Sequence, residues 1–115
     1  MKKHFEKHEQ DVCDLLGLDP TIASGSQWHD TGDGVNRNAY DAWPILFDAK
    51  CTVQRTYSIN RGWMSQQIKR AVGAGKRFIL PLRFVDEHGQ HDDYVVMTLD
   101  DYAELLEAAR SHWKR

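Results

Sequence analysis

Trp43-Pro44-Ile45-Leu46-Phe47-Asp48-Ala49-Lys50-Cys51-Thr52 is the stretch that decides how this chain reads. It has the length and composition of a buried strand, in which every second residue shares a face. Ile45, Phe47, Ala49 and Cys51 fall on one side, and Leu46, Asp48, Lys50 and Thr52 on the other. A carboxylate and an ammonium therefore point the same way, about 7 Å apart along the strand at the usual rise per residue. Charge taken out of water must be paired or must hold a metal. An internal ion pair on an edge strand satisfies that demand, and so does a metal-binding site. Taken alone the tripeptide fits the ion pair better, because short motifs match by chance.

Two further acids shift the balance. Upstream, Ser24-Gly25-Ser26-Gln27-Trp28-His29-Asp30-Thr31-Gly32-Asp33-Gly34-Val35 is Gly-rich, with a glycine on each side of Asp33. Such a flank suits a turn or a close backbone approach that projects the carboxylate toward the start of the Asp48 strand. The other acid is Glu9. Lys3 to Leu16 has helical periodicity, with Phe5, Val12 and Leu16 on one stripe and Gly17 as a stop. Glu9 takes the vacant place on that stripe, whereas Glu6 and Asp14 read as solvated charges.

The rest of the chain supplies a plausible frame. An extended segment is expected near Thr21 to Ser24, a strand between Gly34 and Tyr40, and a second helix over Asn60 to Ala74. Arg77 to Val85 reads as a strand that Pro81 places near an edge or bulge. Asp86 to Gly89 is a hairpin turn into Tyr94 to Leu99, and Asp100 or Asp101 caps a last helix carrying Tyr102, Leu105, Leu106, Ala109 and Trp113. The 115 residues fit one domain, residues 1–115. The expected class is α/β, with a mixed central sheet flanked by helices. Two cysteines, Cys13 and Cys51, make no disulfide framework and read as small buried residues. No apolar run is long enough to span a membrane, and the Lys2-Lys3 start is no signal-peptide core. The expected location is a reducing cytoplasm.

Glu9, Ser24-Gly25-Ser26, Gly32-Asp33, Asp48-Ala49-Lys50-Cys51-Thr52 and Tyr57-Ser58-Ile59 together resemble the PD-(D/E)xK nuclease superfamily. The branch they are most similar to is the Holliday junction resolvase-like one, with its small phage-borne members. The likeness continues through Trp63, Ile68, Ala71 and Gly75-Lys76, the strand Phe78 to Phe84, and Tyr94-Val95-Val96 leading into the last helix. Asp48 stands where this family more often has Glu, and Gly34 follows Asp33 where an apolar residue is usual, which leaves Asp30 as a rival to Asp33.

The resemblance implies a restriction-endonuclease-like core in α-β-β-β-α-β order with a C-terminal β-α extension. It implies a Mg²⁺-dependent DNA endonuclease (Mn²⁺ substituting), selective for branched DNA and working as a homodimer, since a four-way junction needs two symmetric cuts. Glu9, Asp33, Asp48 and Lys50 would be catalytic, and Glu9, Asp33, Asp48 and the carbonyl of Ala49 would hold the metal. Lys50 would orient or deprotonate the attacking water, or neutralise the phosphate. Flaps, duplex ends, or a non-catalytic DNA-binding or assembly role are the alternatives.

Net charge is −2, which is not that of a typical nucleic-acid binder. Its distribution is uneven: from Lys50 to Arg83 there are eight basic residues and no acid. Such a block favours phosphate contacts. Arg61, Lys69, Arg70, Lys76 and Arg77 are the expected DNA-facing residues, with Ser24, Ser26 and Thr52 as possible hydrogen-bond donors. Gln67, His4 and His8 read as surface side chains, and His29 lacks a second motif.

Overall fold

The computed structural model describes residues 2–20, 34–36 and 42–113. The elements run α1 (Lys2–Leu16), β1 (Leu18–Pro20), β2 (Gly34–Asn36), β3 (Ile45–Phe47), β4 (Lys50–Thr52), α2 (Arg61–Gly73), β5 (Arg77–Val85), β6 (His91–Val96) and α3 (Leu99–Trp113). They form a small α/β domain. Ser24, Ser26, Asp30, Asp33, the extended segment near Thr21 and the end of the strand expected to reach Tyr40 all lie outside the described residues. No helix among the described residues is long and apolar enough to cross a membrane.

The sheet is organised around β5. Ile45, Leu46 and Phe47 lie parallel to Arg77, Phe78 and Ile79, and Lys50, Cys51 and Thr52 lie parallel to Leu82, Arg83 and Phe84 in the same register. β3 and β4 are thus two halves of one extended run, interrupted at Asp48-Ala49, which the shared register sets opposite Leu80 and Pro81. Proline has no N–H to offer a neighbouring strand. β6 runs antiparallel along the other side of β5, from Leu80 opposite Val96 to Val85 opposite His91. Pro81 therefore sits in the central strand rather than at the expected edge, and the sheet is mixed. β1 and β2 form a separate antiparallel pair.

The alternation read in residues 45–52 holds. Ile45, Phe47 and Ala49 pack with Val12 and Cys13 of α1, Leu18 and Ile79 on one face. Leu46 packs with Phe78, Leu80 and Ala71 on the other, supported by Trp63, Met64 and Ile68 of α2. α1 covers one face and α2 the other, which is the layering an amphipathic helix and a two-sided apolar strand require. Cys13 is buried as expected, but Cys51 is only partly covered.

Element ends follow local chemistry. The Asn60 side chain accepts from the Trp63 N–H and caps α2. Thr98, not Asp100 or Asp101, caps α3: its hydroxyl accepts from the Asp101 N–H, and the two acids occupy the first turn. Gly17, just past α1, has φ +70°, a conformation that disfavours any residue with a Cβ. The hairpin after β5 is closed by the Asp86 carboxylate, which accepts from the His88 and Gln90 N–H groups. β6 accordingly starts at His91, earlier than the Tyr94 expected from sequence.

The face that α1 buries is rotated from the one expected. His8, Val12 and Cys13 are buried, Phe5 and Glu9 are half-buried, and Leu16 is exposed. His8 is completely enclosed rather than a surface side chain, and its Nε2 lies 3.1 Å from the carbonyl oxygen of Pro81. The reason lies in the sheet, where Arg83 is buried beneath the same helix. Its Nη2 pairs with Asp11 at 2.9 Å, and its Nε and Nη2 bind both oxygens of Asp93 at 2.7 and 2.8 Å. Asp93 is the cross-strand partner of Arg83 on β6. A polar network under α1 turns the helix so that His8 and Asp11 face the sheet and Glu9 moves to the margin.

Candidate functional site

Asp48 and Lys50 emerge on the α2 face, beside the interruption between β3 and β4. Lys50 Nζ is 3.5 Å from an Asp48 carboxylate oxygen, with both side chains partly open to solvent. The same ammonium lies 5.4 Å from the centre of the Trp63 ring, a cation–π distance. Trp63 is itself fixed edge-on against Phe78, with ring centres 5.9 Å apart. The ion-pair reading of the tripeptide is therefore realised in geometry. Both charges remain accessible, so the pair is also available to a ligand.

Glu9 approaches from α1. Burial holds its carboxyl above the usual carboxylate range, and repulsion from Asp48 and then Glu6 adds to the effect. The run 45–52 is the outer strand of this sheet in the described residues, so a helix on one face and a side chain on the other can converge at its margin. The strand pair thus feels a carboxylate from an element far away in sequence. Among the described residues there is no group of three or more His, Cys, Asp and Glu able to hold a metal ion. Asp33, and Asp30 as its rival, lie outside the described residues.

The raised Glu9 group has a thermodynamic consequence. Its folded pKa lies above the reference value of 4.5, so the fold binds a proton more readily than the unfolded chain. The Glu9 contribution to stability falls as pH rises through that window and stays unfavourable at neutral pH. Glu9→Gln is expected to be at least as stable as the wild type at pH 7 in EDTA, with the difference vanishing below about pH 4. Thermal unfolding at the two pH values checks this. Marked destabilisation at pH 7 would make Glu9 a structural ion-pair partner instead.

Around the pair, the expected DNA-facing residues divide. Arg61 and Lys69 are exposed on α2, and Lys76 is half-buried just beyond it. Arg70 is half-buried and donates to the Gln67 side chain, which is buried rather than on the surface. Arg77 is drawn away: it pairs with Glu104 and stacks over Trp43 at 5.1 Å, and the Trp43 indole N–H donates to the same carboxylate. Arg83, counted within the basic block, is buried in the network under α1. Thr52 is buried, and its hydroxyl accepts from the Gln54 N–H.

A cleft of about 570 Å³ opens beside Lys50, walled by Tyr57, Asn60, Trp63 and Gln66, and its described lining carries no carboxylate. Sequence reading missed the contact of Lys50 with Trp63, because no spacing rule ties a strand lysine to a tryptophan of the next helix. The four-residue step from Trp63 to Gln67 was the available signal, and it marks the buried face of α2.

Searched against models of protein families, curated proteins and solved structures, the chain matches none of them.

Proposed function

We propose that this protein is a metal-dependent DNA endonuclease of the PD-(D/E)xK type, with a restriction-endonuclease-like core and a preference for branched DNA. The observation that carries this reading is the solvent-accessible Asp48–Lys50 pair at 3.5 Å, with the Glu9 carboxyl of the first helix within electrostatic reach of Asp48. Two carboxylates that raise one another's proton affinity are relieved when a divalent cation sits between them. Glu9 and Asp48 would hold Mg²⁺ with Asp33, and two or three carboxylates suit an ion that keeps several of its waters. Bound there, the ion would polarise the phosphodiester and make a coordinated water more acidic. Lys50 then has two uses. Its ammonium, steadied over Trp63, neutralises a phosphate oxygen, and its hydrogen bonds orient the attacking water. The exposed Arg61 and Lys69 and the acid-free cleft supply a surface on which an anionic backbone meets no repulsion.

A second reading is a DNA-binding module without catalysis, favoured by the lack of any group of three or more His, Cys, Asp and Glu able to hold a metal among the described residues. One experiment separates the two. A labelled panel of junction, flap and linear duplex is incubated with Mg²⁺, with Ca²⁺ and with EDTA. Cleavage in Mg²⁺ alone is the expected result; binding in Ca²⁺ without cleavage in Mg²⁺ or Mn²⁺ selects the module.

Salt dependence tests the surface. Lys69→Ala and Arg61→Ala should each flatten the log–log slope of binding against salt by about one unit. Arg77→Ala should leave it nearly unchanged, because that guanidinium is engaged with Glu104. Equal effects at all three positions would show that the DNA path crosses the Arg77 side as well.

A further inference from the structure

The cleft beside Lys50 has a lining that metal binding does not use. Its volume, about 570 Å³, lies in the range of sites that enclose small organic molecules. Two half-buried aromatics, Tyr57 and Trp63, line it together with the carboxamides of Asn60 and Gln66. The two rings differ in what already holds them. Trp63 stands edge-on against Phe78 and carries the Lys50 ammonium 5.4 Å from its centre. Tyr57 comes from the segment that joins β4 to α2. The Asn60 Oδ1 accepts from the Trp63 N–H, which leaves the amide nitrogen to donate to a ligand. Gln66 is exposed and can both donate and accept. At Gly62, also in the wall, a Cβ would stand 3.2 Å from the Asn60 Oδ1 and crowd that cap.

We infer that this cleft takes one unpaired nucleotide of DNA, with its base stacked on Tyr57, its edge met by Asn60 and Gln66, and its phosphate held by Lys50. A ring face, carboxamides and a cation are the three kinds of group that base, base edge and phosphate each require. The inference rests on the reading of Lys50 as a phosphate contact, and it narrows the substrate to DNA with an unpaired nucleotide where its strands branch. Magnitudes decide between a paired and an unpaired base. Stacking on one aromatic ring is worth about 1–3 kcal/mol. Drawing a paired base out of a duplex costs a few kcal/mol, which is as much or more. The cleft therefore cannot extract a base from an intact pair, but it can hold one that is already out of the stack. A base in a pair also has its Watson–Crick edge occupied, so the two carboxamides have little to read on fully paired DNA.

Binding of the full chain in Ca²⁺ tests this on three four-way junctions that differ at a single place at the branch. One is fully paired, one carries an extra unpaired adenine there, and one carries an abasic residue instead. The abasic junction is as loosely held at the branch as the adenine junction, so only a base contact separates them. The adenine junction should bind about tenfold more tightly than either of the others. Tyr57→Leu keeps the bulk but loses the aromatic face and should abolish that preference, whereas Tyr57→Phe should keep it. Gln66→Ala, at an exposed position, should reduce it. A 2-aminopurine in place of the adenine reads the contact with no substitution in the protein: its fluorescence should be quenched on binding. Equal binding of the three junctions overturns the inference, as do an unquenched 2-aminopurine and a preference that survives Tyr57→Leu in a folded variant. Mg²⁺ separates this result from the nuclease reading. Cleavage of all three junctions at one rate, with equal binding, leaves the nuclease without the base contact. An adenine preference in binding with no cleavage leaves the base contact on a DNA-binding module. Absence of binding to every junction overturns both.

Discussion

Asp48→Ala is expected to lower Mg²⁺-dependent cleavage of branched DNA by about a thousandfold or more, equivalent to roughly 4 kcal/mol of transition-state stabilisation. The fold should survive, because the Asp48 side chain is partly exposed and contributes no apolar packing. Lys50→Ala is expected to cause a loss of similar size for a different reason. It removes the ammonium that sits 3.5 Å from the Asp48 carboxylate and over the Trp63 ring. Lys50→Arg should recover little, since a planar fork does not reproduce a compact point charge. Single-turnover cleavage separates this loss from weaker DNA binding. If the Asp48→Ala protein cuts at the wild-type rate, the site is elsewhere and the nuclease assignment of this strand fails.

Arg83→Ala should have the largest effect on stability. The guanidinium is 3 % exposed and serves two carboxylates on different elements, Asp11 of α1 and Asp93 of β6. Removing one member of a buried ion pair costs about 3–5 kcal/mol, and the lower end applies because both aspartates keep contact with water. About 3 kcal/mol corresponds to a fall in Tm on the order of 10 °C for a domain of this size. The effect has a pH signature. The hydrogen bonds from Arg83 hold the Asp93 carboxyl below its reference value of 3.8. Burial opposes ionisation of Asp11, yet its bonds to Lys7 and Arg83 also bring it below 3.8. A depressed carboxyl stabilises the fold at pH values above its unfolded pKa, and that contribution is lost as pH falls through the folded pKa. The gap in Tm between wild type and Arg83→Ala should therefore be full above about pH 4 and close at lower pH. A constant gap would assign the loss to packing of the arginine stem.

Much of the frame was legible because it rests on periodicity. Residues 45–52 alternate in sequence and alternate between two cores in space. The second helix, the β5 strand and the third helix likewise follow from local rules. What sequence did not give is the orientation of α1. Its apolar stripe pointed to Phe5, Val12 and Leu16, but His8 and Asp11 face the sheet because Arg83 and the Pro81 carbonyl lie there, seventy residues or so away in the chain. Long-range polar pairing of that kind leaves no periodic trace. Pro81 misled for a related reason: proline in a strand suggests an edge, yet here it lies in the central strand, opposite the interruption that carries Asp48 and Ala49. The proximity of Asp48 and Lys50 was readable from two-residue spacing, whereas the stripe that singled out Glu9 is not the face that α1 buries. The support that Trp63 gives to Lys50 and the engagement of Arg77 by Glu104 depend on how helices settle on the sheet.

The dependence of β3, β4 and β6 on β5 also governs the order in which the protein can assemble. During synthesis the N-terminal end emerges first, so α1, the Asp48 strand and α2 are all made before residues 77–85 exist. Until then the strand bearing Asp48 and Lys50 has no parallel partner, and Arg83 is not there to receive Asp11. Native pairing must wait for a segment about thirty residues downstream in sequence, as parallel connections require. A nascent chain stalled just before Arg77 should therefore present α1 and α2 to proteases as unprotected segments, and the Asp48 strand should gain its parallel partner only once residues 77–85 have left the ribosome.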